Sequence, residues 1–78
     1  MPAFDVPAID NEFEVLAQRL GIADDNDQER SKIEDLGEQE GIRKFHYHGE
    51  VYFVARKGHL PGVATAVEFN SNWYAIRP

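Results

Sequence analysis

The sequence predicts an α+β fold, with two N-terminal helices followed by an antiparallel meander of three or four strands and the helices packed on one face of the sheet. Three observations carry this prediction. Apolar residues recur every three or four positions in the first half, they alternate with polar residues from Arg43 onward, and Gly- or Asn-rich turns separate the segments. At 78 residues the chain is one domain at most. We expect residues 11–78 to form it and residues 1–10 to be an extended or flexible arm.

The first helix is predicted over residues 11–20. Asn11 and Glu14 have the spacing of a capping box, in which each side chain satisfies a backbone donor of the first turn. An apolar stripe that includes Leu16 follows. Gly21 suits the left-handed residue that ends many helices, and Ile22 supplies the apolar contact that often accompanies it.

A second helix is predicted from about Asn26 to Glu40. Asn26 and Glu29 repeat the capping-box spacing, and Gly41 is the expected stop. Its outer face would be strongly acidic.

A hairpin follows, because residues 44–48 and 51–55 alternate around Gly49. A two-residue turn at Gly49-Glu50 would place Phe45, Tyr47, Tyr52 and Val54 on one face. A three-residue turn would leave Tyr52 on the other face, and the sequence leaves both registers open.

Residues 63–69 and 73–76 are predicted to be strands joined at Asn70-Ser71-Asn72, although a helix over 62–73 is the competing interpretation. The largely buried side chains are expected to be Phe13, Leu16, Leu20, Ile33, Leu36, Phe45, Tyr47, Val54, Val67 and Trp73.

The two halves of the chain carry opposite charge. Residues 1–42 contain 12 Asp and Glu against 3 Lys and Arg, a net of −9, whereas residues 43–78 contain 2 against 5, a net of +3. Fields of this kind act on partners rather than on the fold. The sequence therefore predicts a small acidic, non-enzymatic module, regulatory or inhibitory, that binds a protein with a basic surface through its acidic helical face or its aromatic sheet edge. The expected protein-binding residues are Asp24, Asp25, Asp27, Glu34, Asp35 and Glu38.

A nucleic-acid-binding module is the alternative, because basic residues beside aromatic strands can hold phosphates while bases stack. Its residues would be Arg43, Lys44, His46, His48, Arg56 and Lys57. The overall acidity of the chain and the need for core aromatics favour the protein partner.

One part of the chain resembles winged helix-turn-helix regulators. The residues that carry the resemblance are the Leu-Ala-Gln-Arg-Leu-Gly-Ile run at 16–22, the Ile-Glu-Asp-Leu run at 33–36, Gly41-Ile42-Arg43 and the hairpin that follows. It implies a recognition helix after Ile22, in the DNA major groove, and a hairpin wing. That helix would carry Asp27 and Glu34, whose carboxylates repel phosphates.

Other chemistry has weaker support. His46 and His48 lie two residues apart and His59 follows in a loop, so metal binding through the three histidines is a third possibility. No residue pattern indicates a catalytic centre or a cofactor site. The chain has no cysteine, no long apolar run and no signal-peptide pattern at its start, which predicts a cytoplasmic protein without membrane contact.

Overall fold

A computed structural model describes residues 11–78, so the predicted N-terminal arm lies outside the described residues. The described chain is α+β, with an antiparallel five-stranded sheet and a helix packed on it. The elements are α1 (Asn11–Leu20), α2 (Asp27–Arg30), β1 (Glu34–Gln39), β2 (Ile42–Tyr47), β3 (Glu50–Arg56), β4 (Thr65–Phe69) and β5 (Asn72–Arg77).

Helix α1 confirms the first prediction at both ends. It begins at Asn11 and ends at Leu20, and Gly21 follows in the left-handed region with a φ of 76°. The Gly21 amide donates to the Gln18 carbonyl at 3.1 Å and the Ile22 amide to the Ala17 carbonyl at 2.9 Å. These two bonds form a Schellman motif, which satisfies carbonyl groups that the helix end would otherwise leave free.

The predicted second helix is wrong beyond its first turn. The Asn26 side chain does accept a hydrogen bond from the Glu29 amide at 3.1 Å, but α2 ends at Arg30 and the chain then forms β1. Gly37 has a φ of 102°, outside the helical region, at a bulge where the register shifts between Asp35 and Gly37. A second helix would bury little apolar surface, whereas β1 gains a ladder of hydrogen bonds to β2.

Three hairpins share one turn geometry. The loops of β1–β2, β2–β3 and β4–β5 contain two residues each, and all six residues have positive φ, as type I′ turns require. Their backbone twist matches the twist of the strands that they join. The loops are Glu40-Gly41, His48-Gly49 and Asn70-Ser71.

The β2–β3 turn lies one residue earlier than the Gly49-Glu50 turn of the first predicted register. Tyr47 pairs with Glu50, and Phe45 pairs with Tyr52. Each β2 residue therefore pairs with a β3 residue two positions before the expected one. Because side chains alternate between the faces with a period of two residues, every side chain keeps its predicted face. The three-residue turn, which would have put Tyr52 opposite, is excluded.

The C-terminal strands are confirmed and the helix over 62–73 is excluded, but the order of the strands is not that of a meander. The sheet order is β1-β2-β3-β5-β4, with five strands rather than three or four. The chain leaves β3, crosses the sheet in the segment 57–64, forms the edge strand β4 and returns as β5 between β3 and β4. The winged-helix arrangement is wrong as well, because β1 replaces the recognition helix.

The core lies between α1 and one face of the sheet, called the helical face below. Five of the ten predicted core residues are buried and three others pack around them half-buried, but Leu36 is 45% and Trp73 50% exposed. Both lie on the opposite side of the sheet. Alternation along β5 turns Tyr74 and Ile76 toward the helix instead. The buried residues of this core are Val15, Leu16, Ala17, Ile33, Phe45, Val54, Val67, Tyr74 and Ile76.

Candidate functional site

The side of the sheet opposite α1, called the open face below, is the candidate functional surface. Directly paired residues of antiparallel strands share a face, which places its members by register. The segment 57–64 covers its centre, where Leu60 packs on Ala55 and Ala75. Two facing alanines leave room for a crossing chain. The open face includes Leu36, Ile42, Lys44, His46, Val51, Phe53, Ala55, Trp73, Ala75 and Arg77. Ala66 and the carboxylates Glu34 and Glu68 also lie on it, because they pair with Ala75, His46 and Trp73.

A depression of about 400 Å³ lies on this face, between β1 and β5, and is called the Phe53 depression. Leu36 reaches it from the bulge in β1, where one extra residue re-aims the chain. Its volume is within the range of small-ligand sites. The lining residues are Leu36, Gly37, Glu38, Gln39, Glu40, Ile42, Lys44, Phe53 and Arg77.

Two cations converge on the Phe53 ring. Lys44 and Arg77 pair with Phe53 from the neighbouring strands β2 and β5, so the three side chains form one row across the sheet. The Lys44 Nζ lies 5.9 Å and the Arg77 guanidinium carbon 4.7 Å from the ring centroid. Both distances fit a cation–π interaction. Within residues 11–78, neither cation forms an ion pair with an Asp or Glu side chain.

A second aromatic position lies beyond the crossing segment. Trp73 is half exposed, and the Lys57 Nζ lies 5.7 Å from its ring centroid. Arg77 lies four positions after Trp73 in β5, a distance of about 13 Å along the strand. Leu60 lies between these positions, on Ala55 and Ala75. The open face therefore offers two separate aromatic sites rather than one continuous platform.

The predicted acidic site is divided. Asp24, Asp25 and Asp27 are exposed around the loop before α2, whereas Glu34, Asp35 and Glu38 are exposed on the edge strand β1. Arg43 holds two of the latter, since its Nη1 lies 2.8 Å from Asp35 and its Nη2 lies 3.2 Å from Glu38. The single acidic patch along the outer face of a second helix does not form, because the helix is absent.

The predicted basic set does not share one surface either. Lys44 and His46 lie on the open face, and Lys57 follows at the end of β3. Arg43 pairs with Val54 and therefore points to the helical side. Arg56 lies with its guanidinium carbon 5.5 Å from the Tyr74 centroid, also on the helical side. His48 lies in the hairpin turn.

The three histidines are not brought together as metal ligands. His46 Nδ1 lies 3.7 Å from Glu34 on the open face, whereas His48 Nε2 lies 3.2 Å from Glu29 on the helical side. His59 lies in the crossing segment. In the described part of the chain, no group of three or more His, Cys, Asp or Glu side chains could hold a metal ion.

Glu29 ties α2 to the β2–β3 hairpin. Its carboxylate accepts from the Tyr47 hydroxyl at 3.2 Å, contacts His48 Nε2 and pairs with Lys32 Nζ at 3.2 Å. The hydrogen bonds from His48 and Lys32 lower the pKa of Glu29 from its ordinary value of 4.5. Burial and the neighbouring carboxylate raise the pKa of Tyr47. This cluster closes one end of the core and lies away from the open face.

Only Glu38 and Lys44 of the nine residues that line the Phe53 depression belong to the predicted sites. The seven absent residues include the four that the site depends on: Leu36, Ile42, Phe53 and Arg77. Leu36 was assigned to a helix core. The pairing of β5 with β3 places residues 42, 44, 53 and 77 on the same face of the sheet. That pairing joins segments some 20 residues apart, and the local sequence pattern gives no signal of it.

Comparison of the chain with protein-family models, with curated proteins and with solved structures finds no match. Neither helix in residues 11–78 has the length and apolar content needed to cross a lipid bilayer.

Proposed function

We propose that this protein is a small non-enzymatic interaction module that binds a partner protein through the open face of its sheet. One observation carries the proposal: α1 covers one face, whereas the other keeps exposed apolar side chains beside Lys44 and Arg77, which form no ion pair with an Asp or Glu side chain of residues 11–78. Leu36, Val51 and Trp73 are 45%, 37% and 50% exposed there. An apolar patch with a polar rim is typical of a protein-binding surface.

The lining of the Phe53 depression supports binding rather than catalysis. Its apolar part is a phenyl ring and two aliphatic side chains, and its polar part includes an ammonium and a guanidinium group. These cations supply electrostatic attraction and orientation for a ligand. Because the chain has no cysteine, binding needs no oxidising compartment, and we expect it to occur in the cytoplasm.

The acidic residues receive a different function in this proposal. The exposed carboxylates of β1 lie on an edge strand, whose free backbone groups would otherwise pair with other chains. Asp35 and Glu38 are already paired with Arg43. We therefore propose that the β1 carboxylates keep the edge unpaired, and that the working surface is the aromatic side of the sheet.

Photo-crosslinking at two matched positions tests the proposal. A benzoylphenylalanine at Val51 lies on the open face, and one at Asp25 lies in the acidic loop, exposed to a similar or greater degree. We expect a discrete protein adduct in native lysate from position 51, resistant to nuclease and lost in the Phe53→Ala variant, and none from position 25. An adduct from position 25 alone would refute the proposal and restore the acidic surface.

Nucleic-acid binding is a second candidate, and one observation favours it. Lys44, Lys57 and Arg77 all lie beside exposed or half-exposed aromatic rings on one side of the sheet. Single-stranded nucleic acid binds such rings by stacking and such cations through phosphates. Titration with single-stranded DNA and RNA at two salt concentrations tests it. Binding that falls steeply with salt and requires both Phe53 and Trp73 would establish this function in place of the first.

A further inference from the structure

We infer that the Phe53 depression receives an acidic residue and an adjoining large apolar residue from an extended segment of a partner protein, with the carboxylate between Lys44 and Arg77. This inference rests on the proposed function and names the chemistry of its partner. The carboxylate would lie above the edge of the Phe53 ring, and the apolar side chain would contact Leu36 and Ile42.

Three cations of the described chain are paired with its own carboxylates. The chain carries a net charge of −6, so carboxylates are abundant. Arg30 pairs with Glu14, Lys32 with Glu29, and Arg43 with both Asp35 and Glu38. Within residues 11–78, the other cations form no ion pair with Asp or Glu: Arg19, Lys44, Arg56, Lys57 and Arg77. Of these, Lys44 and Arg77 share the Phe53 depression and lie beside the same ring. Charge complementarity therefore favours a carboxylate supplied from outside.

Two contacts hold the guanidinium group of Arg77 in place. Its Nη1 donates to the Pro78 carbonyl oxygen at 3.1 Å, and the guanidinium lies over Phe53. Its Nε is buried and has no hydrogen-bond acceptor. A guanidinium held in place by an aromatic ring loses little further freedom on binding, and its planar fork suits a carboxylate.

Leu36 and Ile42 form the aliphatic part of the lining of the Phe53 depression. Leu36 is held out from β1 by the bulge, and Ile42 lies beside Phe53 in the second apolar cluster. Together they offer an apolar contact next to the two cations. Glu40 lies in the turn at the far end of the β1–β2 hairpin, beyond the pair Gln39–Ile42. The charges therefore orient an incoming segment, with its carboxylate toward Lys44 and away from that turn.

A short acidic segment fits this surface better than a polyphosphate chain. A nucleic acid would need several phosphates near the sheet, and the exposed carboxylates of Glu38 and Glu40 border the depression on the β1 side. Its bases would also need rings at stacking distance, whereas Phe53 and Trp73 lie on either side of the crossing segment. One carboxylate needs only Lys44 and Arg77, and avoids both problems.

Three phenylbutyl probes of similar length test the charge preference, and the acid and the amide among them are isosteric. In ¹⁵N-NMR titrations, 4-phenylbutyrate carries a carboxylate, 4-phenylbutanamide is neutral and 4-phenylbutylamine is a cation. We expect the carboxylate to shift the amide signals of Gly37, Lys44, Phe53 and Arg77. It should bind about fivefold more tightly than the amide, the effect of two partly exposed charge pairs. The amine should bind least.

Paired variants locate the effect. Lys44→Gln with Arg77→Gln keeps two methylenes of each aliphatic stem and should remove the preference for the carboxylate over the amide. The matched control, Arg56→Gln with Lys57→Gln, removes the same charge and should keep it. Thermal melting of both variants checks that the fold is unchanged. Equal binding of all three probes, or shifts centred on Trp73, would overturn the inference.

Two further outcomes separate the inference from the proposed function. If the probes show no charge preference but the crosslink at position 51 still forms, the stated partner chemistry is wrong and the open face remains the binding surface. If neither is observed, both fail. An octathymidylate that shifts the same signals more strongly than 4-phenylbutyrate would overturn the inference, because it would identify a nucleic acid rather than an acidic peptide segment as the ligand of the Phe53 depression.

Discussion

Replacing Leu16 with alanine should destabilise the domain more than any exposed substitution in α1. The Leu16 side chain is fully buried between α1 and the helical face of the sheet. The substitution removes three carbon atoms, worth about 2.4 kcal/mol at roughly 0.8 kcal/mol per buried methylene. The cavity left behind adds to this loss, and buried Leu→Ala changes cost about 2–5 kcal/mol. We expect a loss of about 3 kcal/mol or more.

That loss is a large share of the total stability. A chain of this size has an expected free energy of unfolding of about 4–12 kcal/mol. A change of about 3 kcal/mol corresponds to a drop in Tm of roughly 12–24 °C for a domain of 60–100 residues. Circular dichroism melting and urea denaturation measure both quantities, and an unchanged urea m-value would show that the two states expose the same surface.

Arg19→Ala is the matched control, because Arg19 belongs to the same helix and is exposed. Its free energy of unfolding should stay within about 0.5 kcal/mol of wild type. A Leu16→Ala variant that melts within about 2 °C of wild type would refute the packing of α1 on the sheet. Because alanine is the best helix former, neither substitution loses stability through helix propensity, so equal losses in both variants would show that the burial of Leu16 is not the source of the effect.

Two further predictions concern local interactions. Glu29→Gln should change the pH dependence of stability, because the pKa of Glu29 is lowered in the folded state. The wild-type carboxylate therefore stabilises the fold at pH values above its ordinary pKa of 4.5, and this contribution is lost as the pH falls through the lowered pKa. The Tm advantage of wild type over Glu29→Gln, measured between pH 7 and pH 3, should therefore shrink on acidification, and an advantage that is constant with pH would contradict the role given to the His48 and Lys32 contacts. Ser71→Gly should raise stability by about 0.5–1 kcal/mol, because Ser71 has a φ of 65° in a type I′ turn that favours Asn-Gly. Ser71→Ala serves as its control, and an equal gain from alanine would show that backbone strain is not the cause.

The sequence by itself determined the elements that depend on local interactions. The bounds of helix α1 follow from a stripe of apolar residues and from Gly21, all within a dozen positions. The faces of the side chains in β2 and β3 follow from the alternation of polar and apolar residues. The turn lies one residue earlier than predicted, but this shifts the strand pairing by two positions and leaves every side chain on its predicted face. The strands after Pro61 were predicted for the same reason.

Tertiary structure decided what depends on distant partners. Residues 34–39 have a helical composition, yet they form an edge strand, because pairing with β2 supplies hydrogen bonds that an isolated helix with few buried side chains cannot match. The insertion of β5 between β3 and β4 moved Trp73 from the expected core to the open face and placed Arg77 beside Phe53. The opposite net charges of the two halves of the chain are visible in the sequence, but the positions of the charged side chains on the folded surface are not. The candidate site lies where Lys44, Phe53 and Arg77 meet across three strands, and only the folded sheet brings them together, since local periodicity fixes a residue's face and not its neighbour.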